Sequence, residues 1–148
     1  MMMRRLVLFL WCLFYPVVAI FAAPFWLLKM IRRDGWGSGL LERIGLYDQD
    51  AEFERTGGVY IHAVSVGEVL LALKLIARWR GETDDHFVLV PTTATGMAVA
   101  RERAPKGVRV VYAPLDLGFL VRRIMKRFAP RRVVMVESEL WPNLIWQT

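Results

Sequence analysis

Four short stretches of this 148-residue chain bring together side chains able to do chemistry. Ser65, Gly67 and Glu68 lie in His62-Ala63-Val64-Ser65-Val66-Gly67-Glu68. Thr92, Thr93, Thr95 and Gly96 form a second group, Asp116 a third, and Glu137, Glu139 and Asn143 a fourth. Hydroxyls, carboxylates and an amide can all hydrogen-bond sugar hydroxyls without requiring charge on the ligand, so the set suits a polyhydroxy substrate. Glu68 is the candidate proton acceptor, because an ionised carboxylate at the rim of a cleft can take a proton from a hydroxyl.

Each of these residues also has a structural reading. Glu68 complements a helix dipole as any first-turn acid does. Thr92, Thr95 and Asp116 serve as helix caps. Glu137 and Glu139 alternate in an extended piece, so only one of them points into a cleft. There is no G-x-G-x-x-G, Walker or H-E-x-x-H pattern. Two histidines and one cysteine make a protein-built metal site improbable, and none is expected.

The elements between these stretches explain how they meet. Gly57-Gly58 breaks the chain, and Val59–Val64 reads as a buried strand. A helix follows over Glu68–Trp79, with Ser65 as its cap and Gly67 leaving room for a substrate or a tight bend. Helix dipole and free N–H groups there keep Glu68 ionised. The rhythm repeats: strand Phe87–Val90 and helix Met97–Arg103, strand Val108–Tyr112 and helix Phe119–Phe128, then strand Val133–Val136. Such βαβ units imply an α/β fold with a parallel sheet and right-handed crossovers. Each chemical stretch begins where a strand ends, so all four converge on the carboxyl edge of the sheet.

The rest of the chain bounds location and partners. Leu6 to Leu28 is 23 residues without a charge, long enough to cross a bilayer core of ~30 Å, although Pro16 and Pro24 will kink or end a helix there. It is too long for a signal peptide and lacks a clean cleavage site, so residues 1–30 are expected to be a retained membrane anchor. More Lys and Arg follow the segment than precede it, which puts the folded part on the cytoplasmic side. Residues 31–56 read as a connector, with Trp36, Leu40 and Tyr47 either at the membrane interface or tied to the main domain. Residues 57–148 form that domain. The net charge of +6 and pI near 10.0 suit anionic lipid. Arg122, Arg123, Lys126, Arg127, Arg131 and Arg132 place six positive charges within eleven residues, either as a solvated face or as a contact for acceptor phosphates or lipid. Without zinc-finger spacing or an RNP-like pattern, no nucleic-acid partner is expected. Cys12 stands alone, which excludes an internal disulfide.

The motifs together resemble a known family. H-A-V-S-V-G-E at 62–68, T-T-A-T-G at 92–96, P-L-D-L at 114–117 and E-S-E-L-W-P-N at 137–143 come in the order and spacing of 3-deoxy-D-manno-octulosonic acid (Kdo) transferases. Ser138 stands where the common form has Thr. The apolar N-terminus and Glu42-Arg43-Ile44-Gly45 are similar to that family too. The resemblance implies the N-terminal, Rossmann-like acceptor domain of a GT-B glycosyltransferase, anchored at the cytoplasmic face of a bacterial inner membrane. It implies inverting transfer of Kdo from CMP-Kdo to a lipid A precursor, with no cofactor. Glu68 would be the base and Glu137 a second essential carboxylate. Ser65, Gly67, Thr92, Thr95, Gly96, Asn143, Arg122 and Arg123 would contact substrate. The chain ends at Thr148, inside the helix after the fourth strand, so the acceptor domain is expected to be incomplete and the CMP-Kdo-binding domain to lie outside it. An inactive membrane-tethered fragment, a glycolipid-binding module and another lipid-linked GT-B glycosyltransferase are the alternatives.

Overall fold

The computed structural model describes residues 39–48, 57–137 and 141–148, with isolated helical positions between 9 and 21. Most of the apolar segment and of the connector, and Glu139 with its neighbours, lie outside the described residues. At the isolated positions Phe9, Leu10, Leu13, Phe14, Val17, Ile20 and Phe21 are helical and exposed. No helix among the described residues is long and apolar enough to cross a membrane.

The folded part alternates strand and helix. After a short helix α1 (Leu40–Arg43) come β1 (Val59–Ala63), α2 (Val66–Arg80), β2 (Phe87–Pro91) and α3 (Ala94–Arg103). They are followed by β3 (Val108–Val110), α4 (Gly118–Phe128), β4 (Arg132–Met135) and α5 (Pro142–Gln147). The four strands form one parallel sheet in the order β3-β2-β1-β4. This is the order of the first four strands of a Rossmann-like doubly wound sheet, one three-strand half and the first strand beyond it. The order reverses between β1 and β4, and ligands of such sheets bind beyond the carboxyl ends at that reversal.

Burial follows position in the sheet. β1 and β2 are central and every residue is buried, whereas the edge strands β3 and β4 are partly exposed. On one face Val59, Ile61, Ala63, Phe87 and Leu89 pack against Val69, Ala72, Leu73 and Ile76 of α2 and Ala100 of α3. The positions on α2 follow the 3.6-residue period of one helix face. On the other face Tyr60, Val88, Val90, Val111 and Ala113 meet Val121, Ile124 and Phe128 of α4 and Leu144 of α5.

Several expected boundaries move by a few residues, each for a local reason. Val64 leaves β1 because its N–H turns to the Glu68 carboxylate. α3 begins at Ala94 rather than Met97 because Thr93 caps it, accepting from the Gly96 N–H at 3.1 Å. β3 stops at Val110, although Val111 and Ala113 still donate to Leu89 and Pro91 of β2. β4 runs Arg132–Met135 rather than 133–136. α4 starts one residue earlier than expected, at Gly118, and ends at Phe128 as expected, its C-cap Ala129 held at φ 41° just before Pro130.

The connector is tied to the domain where it is described. The Tyr47 hydroxyl donates to the Tyr112 carbonyl at 3.1 Å, and its ring is buried edge-on against Phe128. Arg127 donates to the Tyr47 and Asp48 carbonyls, both at 2.7 Å. Glu42 accepts the Tyr112 N–H at 2.6 Å, and the Leu115 N–H reaches the Arg43 carbonyl. Tyr47 is therefore a core residue rather than a membrane-interface one.

Candidate active site at the carboxyl edge

The β1–α2 turn is built by a reciprocal cap. The Ser65 hydroxyl accepts the Glu68 N–H at 3.3 Å, and the Glu68 carboxylate accepts the Val64 N–H at 2.7 Å and the Ser65 N–H at 3.0 Å. Burial alone would raise the Glu68 carboxyl, since desolvation penalises charge. The Val64 and Ser65 donors outweigh it, with His62 adding to them, and hold the group below its ordinary value. Glu68 is thus an ionised carboxylate, nearly enclosed, at the reversal of strand order. Its two oxygens already carry backbone N–H donors, and each keeps a further lone pair for a substrate proton. A Cβ built on Gly67 would meet only the Ser65 hydroxyl at 3.9 Å, and its φ is not positive. Nothing among the described residues requires glycine there, so the open side of Gly67 faces away from the described fold.

The second turn is laced to the first. Thr93 donates its hydroxyl to the Val64 carbonyl at 2.8 Å, and the Thr92 and Thr93 N–H groups reach the Ala63 and Val64 carbonyls. Gly96 sits against this junction, where a Cβ would press on the Thr93 hydroxyl at 2.9 Å. Thr95 is exposed, with its hydroxyl 3.5 Å from that of Thr93. The cap of α3 is therefore Thr93, not Thr92 or Thr95. Thr92 is held differently: its carbonyl accepts Arg43 Nη2 at 2.6 Å, and the Arg43 guanidinium lies 4.3 Å from the Tyr112 ring centre.

Asp116 does not cap the helix that follows it, whose N-cap is Leu117 without a side-chain bond. It reaches instead to α5. Its carboxylate accepts the Asn143 and Leu144 N–H groups, each at 3.2 Å, and the Asn143 amide donates to the Asp116 carbonyl at 2.6 Å. Burial pushes the Asp116 carboxyl up, partly offset by these donors. Asn143 is buried in this lock. Glu137, just past β4, is exposed. Arg122 is exposed on α4, and Arg123 donates to the Ile44 carbonyl at 3.3 Å.

The turn residues Ser65, Gly67, Glu68, Thr92, Thr95, Gly96 and Glu137 thus all follow the carboxyl ends of β1, β2 and β4. Asn143 belongs to the Asp116 lock, and Arg123 to the connector. Three residues of this edge lie within the quoted motifs without being given a role there: Arg43, His62 and Trp141. His62 is buried on β1, its ring edge-on to Trp141 with centroids 5.2 Å apart. Burial lowers its pKa to about 4, despite the opposing pull of Glu68, so the imidazole is neutral at physiological pH. A ring nitrogen base within a fully buried strand was the signal available in the sequence. Among the described residues no cluster of three His, Cys, Asp or Glu side chains could hold a metal ion.

Comparison with known proteins places these motifs in a family. The family described as 3-deoxy-D-manno-octulosonic-acid transferase (kdotransferase) matches residues 38–148. A 3-deoxy-D-manno-octulosonic acid transferase of Haemophilus influenzae is 33% identical over 144 residues, covering 93% of this chain and 33% of the relative. One from Bordetella pertussis is 31% identical over 127 residues, covering 81% and 29%. A bifunctional glycosyltransferase/methyltransferase of Fusobacterium nucleatum is 34% identical over 89 residues, covering 59% and 14%. The chain spans about a third, or less, of the length of these relatives. No solved structure matches it.

Proposed function

Because the chain belongs to the Kdo transferase family of glycosyltransferases, we propose that it carries the acceptor side of an inverting GT-B Kdo transferase. The acceptor is a lipid A precursor and the donor CMP-Kdo, bound by the part of the relatives that lies outside residues 1–148. The observation that carries this reading is the position of Glu68, an ionised carboxylate at the strand-order reversal, beside a glycine whose open side faces away from the described fold.

In the proposed step a glucosamine hydroxyl of the acceptor attacks the anomeric carbon of Kdo. The new C–O bond forms as the bond from that carbon to the CMP phosphate oxygen breaks, and its electron pair leaves with CMP. The hydroxyl proton passes to Glu68. Glu137, exposed past β4, orients the acceptor or balances charge. Ser65, Thr92, Thr95 and the open backbone at Gly67 bind acceptor hydroxyls, and the buried Gly96 lets the Thr93 turn pack close beneath them. Arg122 and Lys126, exposed on α4, face acceptor phosphate or anionic headgroups, while Arg123 and Arg127 bind the connector. The exposed apolar residues between Phe9 and Phe21 support anchorage at the cytoplasmic face of the bacterial inner membrane.

One observation favours a second reading, a glycolipid-binding module without chemistry. Both Glu68 oxygens accept backbone N–H groups, as a purely structural cap requires. The test is a chimera joining residues 1–148 to the remainder of the Haemophilus influenzae relative, assayed for Kdo transfer from CMP-Kdo to a lipid A precursor. Transfer supports the enzyme reading. Retained acceptor binding with no transfer supports the module, and loss of both rejects the acceptor-side assignment.

A further inference from the structure

Three buried polar side chains on the α4/α5 face lack a hydrogen-bond partner among the described residues. They are the Tyr60 hydroxyl, both ring nitrogens of His62 and the Thr92 hydroxyl. Tyr60 and His62 share that face by the alternation of β1, with His62 in register with Val90 on β2. Thr92 lies one residue past the end of β2, at the parity of Val88 and Val90, with its N–H on the Ala63 carbonyl of β1, so it extends the row of Tyr60 and His62 beyond the strand end. Folded proteins leave very few buried polar groups unpaired, and each one calls for a physical account.

The row climbs toward the carboxyl edge and ends at the reversal of strand order. Tyr60 is fully enclosed, His62 is 4% exposed, and the residue Thr92 is half-buried. Arg43 fixes Thr92 through its carbonyl and leaves its hydroxyl unused. Across the reversal, the Trp141 ring lies edge-on over the imidazole at an interplanar angle of 70°. A neutral imidazole offers one donor and one acceptor, and a threonine hydroxyl one donor and two acceptor lone pairs. That set lacks the charge to select an anion, and it matches neighbouring hydroxyls on one sugar ring.

We propose that His62 and Thr92 form the inner wall of the acceptor cleft and bind two hydroxyls of one acceptor sugar, with the Trp141 ring as a movable cover. The proposal rests on the reading that this edge receives a sugar acceptor. Binding turns the Trp141 side chain off the imidazole, a rotamer change of the kind interfaces commonly make.

The experiment is an NMR titration of the 148-residue chain in micelles with D-glucosamine, the sugar of the proposed acceptor. It follows the His62 ring nitrogens, the Thr92 methyl and the Ser65 and Gly67 amides. One saturable shift shared by all four is expected. Thr92→Val should weaken binding about 3- to 10-fold, the loss of one neutral hydrogen bond, and Thr92→Ser should restore it. His62→Phe should do the same as Thr92→Val, and if it does not fold the Thr92 pair decides. Saturable shifts at Ser65 and Gly67 with His62 and Thr92 unmoved would overturn this wall and leave the acceptor reading standing. No saturable shift at any of the four would overturn both.

Discussion

The two faces of the sheet differ in kind. Against α2 and α3 every buried side chain in the cluster is apolar, from Val59 and Ile61 to Ile76 and Leu89. Against α4 and α5 the apolar cluster shares its space with Tyr60, His62, Asp116, Asn143 and, at the edge, Arg43 and Thr92. The first face does what close packing does, and burying an apolar side chain there is worth about 1.5–3 kcal/mol. The second keeps groups whose burial costs stability, and polar groups of that kind are retained where they organise or recognise something. Glu68 stands where the faces meet, on a helix of the apolar face and in electrostatic contact with His62 of the polar one.

The largest expected effect lies at that meeting point. In the chimera, Glu68→Gln keeps size and removes basicity. Turnover should fall ~10²–10⁴-fold, about 3–5 kcal/mol of barrier, with acceptor affinity preserved. If Glu68 only complements the helix, turnover will stay near normal, and Glu137→Gln becomes the variant that abolishes it.

A core truncation probes the apolar face by itself. Ile76→Ala should lower the unfolding free energy of the chain by about 2–5 kcal/mol and leave Ser65 and Gly67 amide environments unchanged in the folded state. Urea unfolding gives the first quantity and an amide spectrum the second. Large shifts at Ser65 or Gly67 would show that the site depends on packing beneath it, and the contrast between the faces would weaken.

How far each face was legible follows from the same chemistry. The apolar face could be read directly, because its residues repeat with the periods of strand and helix, and the Ser65–Glu68 cap needs only residues three apart. The polar face depends on partners distant in sequence. Asp116 looks like a local cap, yet it serves Asn143 and Leu144, 27 and 28 residues away. Tyr47 looks like an interface aromatic, yet its hydroxyl finds Tyr112, 65 residues on. Thr92, Thr93 and Thr95 are equally able to cap α3, and the hydrogen bond of Thr93 to Val64 selects among them.

Acid should act through the polar face. The folded chain holds His62 near pKa 4 against an ordinary 6.5, so between those values the unfolded state binds a proton that the folded state refuses. Stability is therefore fully present above pH 6.5 and falls as pH drops toward 4, by about 3 kcal/mol in all. Glu68, also held low, adds loss in the same direction below its ordinary 4.5. Asp116, pushed up by burial, acts with the opposite sign, its contribution being lost as pH rises. Chemical unfolding at a series of pH values should show the fall, and His62→Gln should flatten it between 6.5 and 4. An unchanged slope in that variant would assign the acid sensitivity elsewhere.

The smallest effects come from the two caps that join the turns, and they should be unequal. Ser65→Ala removes one long bond, the Glu68 N–H to the hydroxyl at 3.3 Å, and leaves the Val64 and Ser65 N–H groups on the Glu68 carboxylate. A cost near the low end for an N-cap is expected, about 0.5–1 kcal/mol. Thr93→Ala removes two bonds from one hydroxyl, the Gly96 N–H at 3.1 Å and the donation to the Val64 carbonyl at 2.8 Å. It also frees the half-buried Val64 carbonyl, so a cost of about 1.5–2 kcal/mol is expected. Thr93→Ser keeps both bonds and should restore most of it. Equal costs for the two alanine variants would mean that the turns are stabilised separately. The larger cost at Thr93 would show that the bond between them holds the Glu68 turn in register with the Thr92 turn.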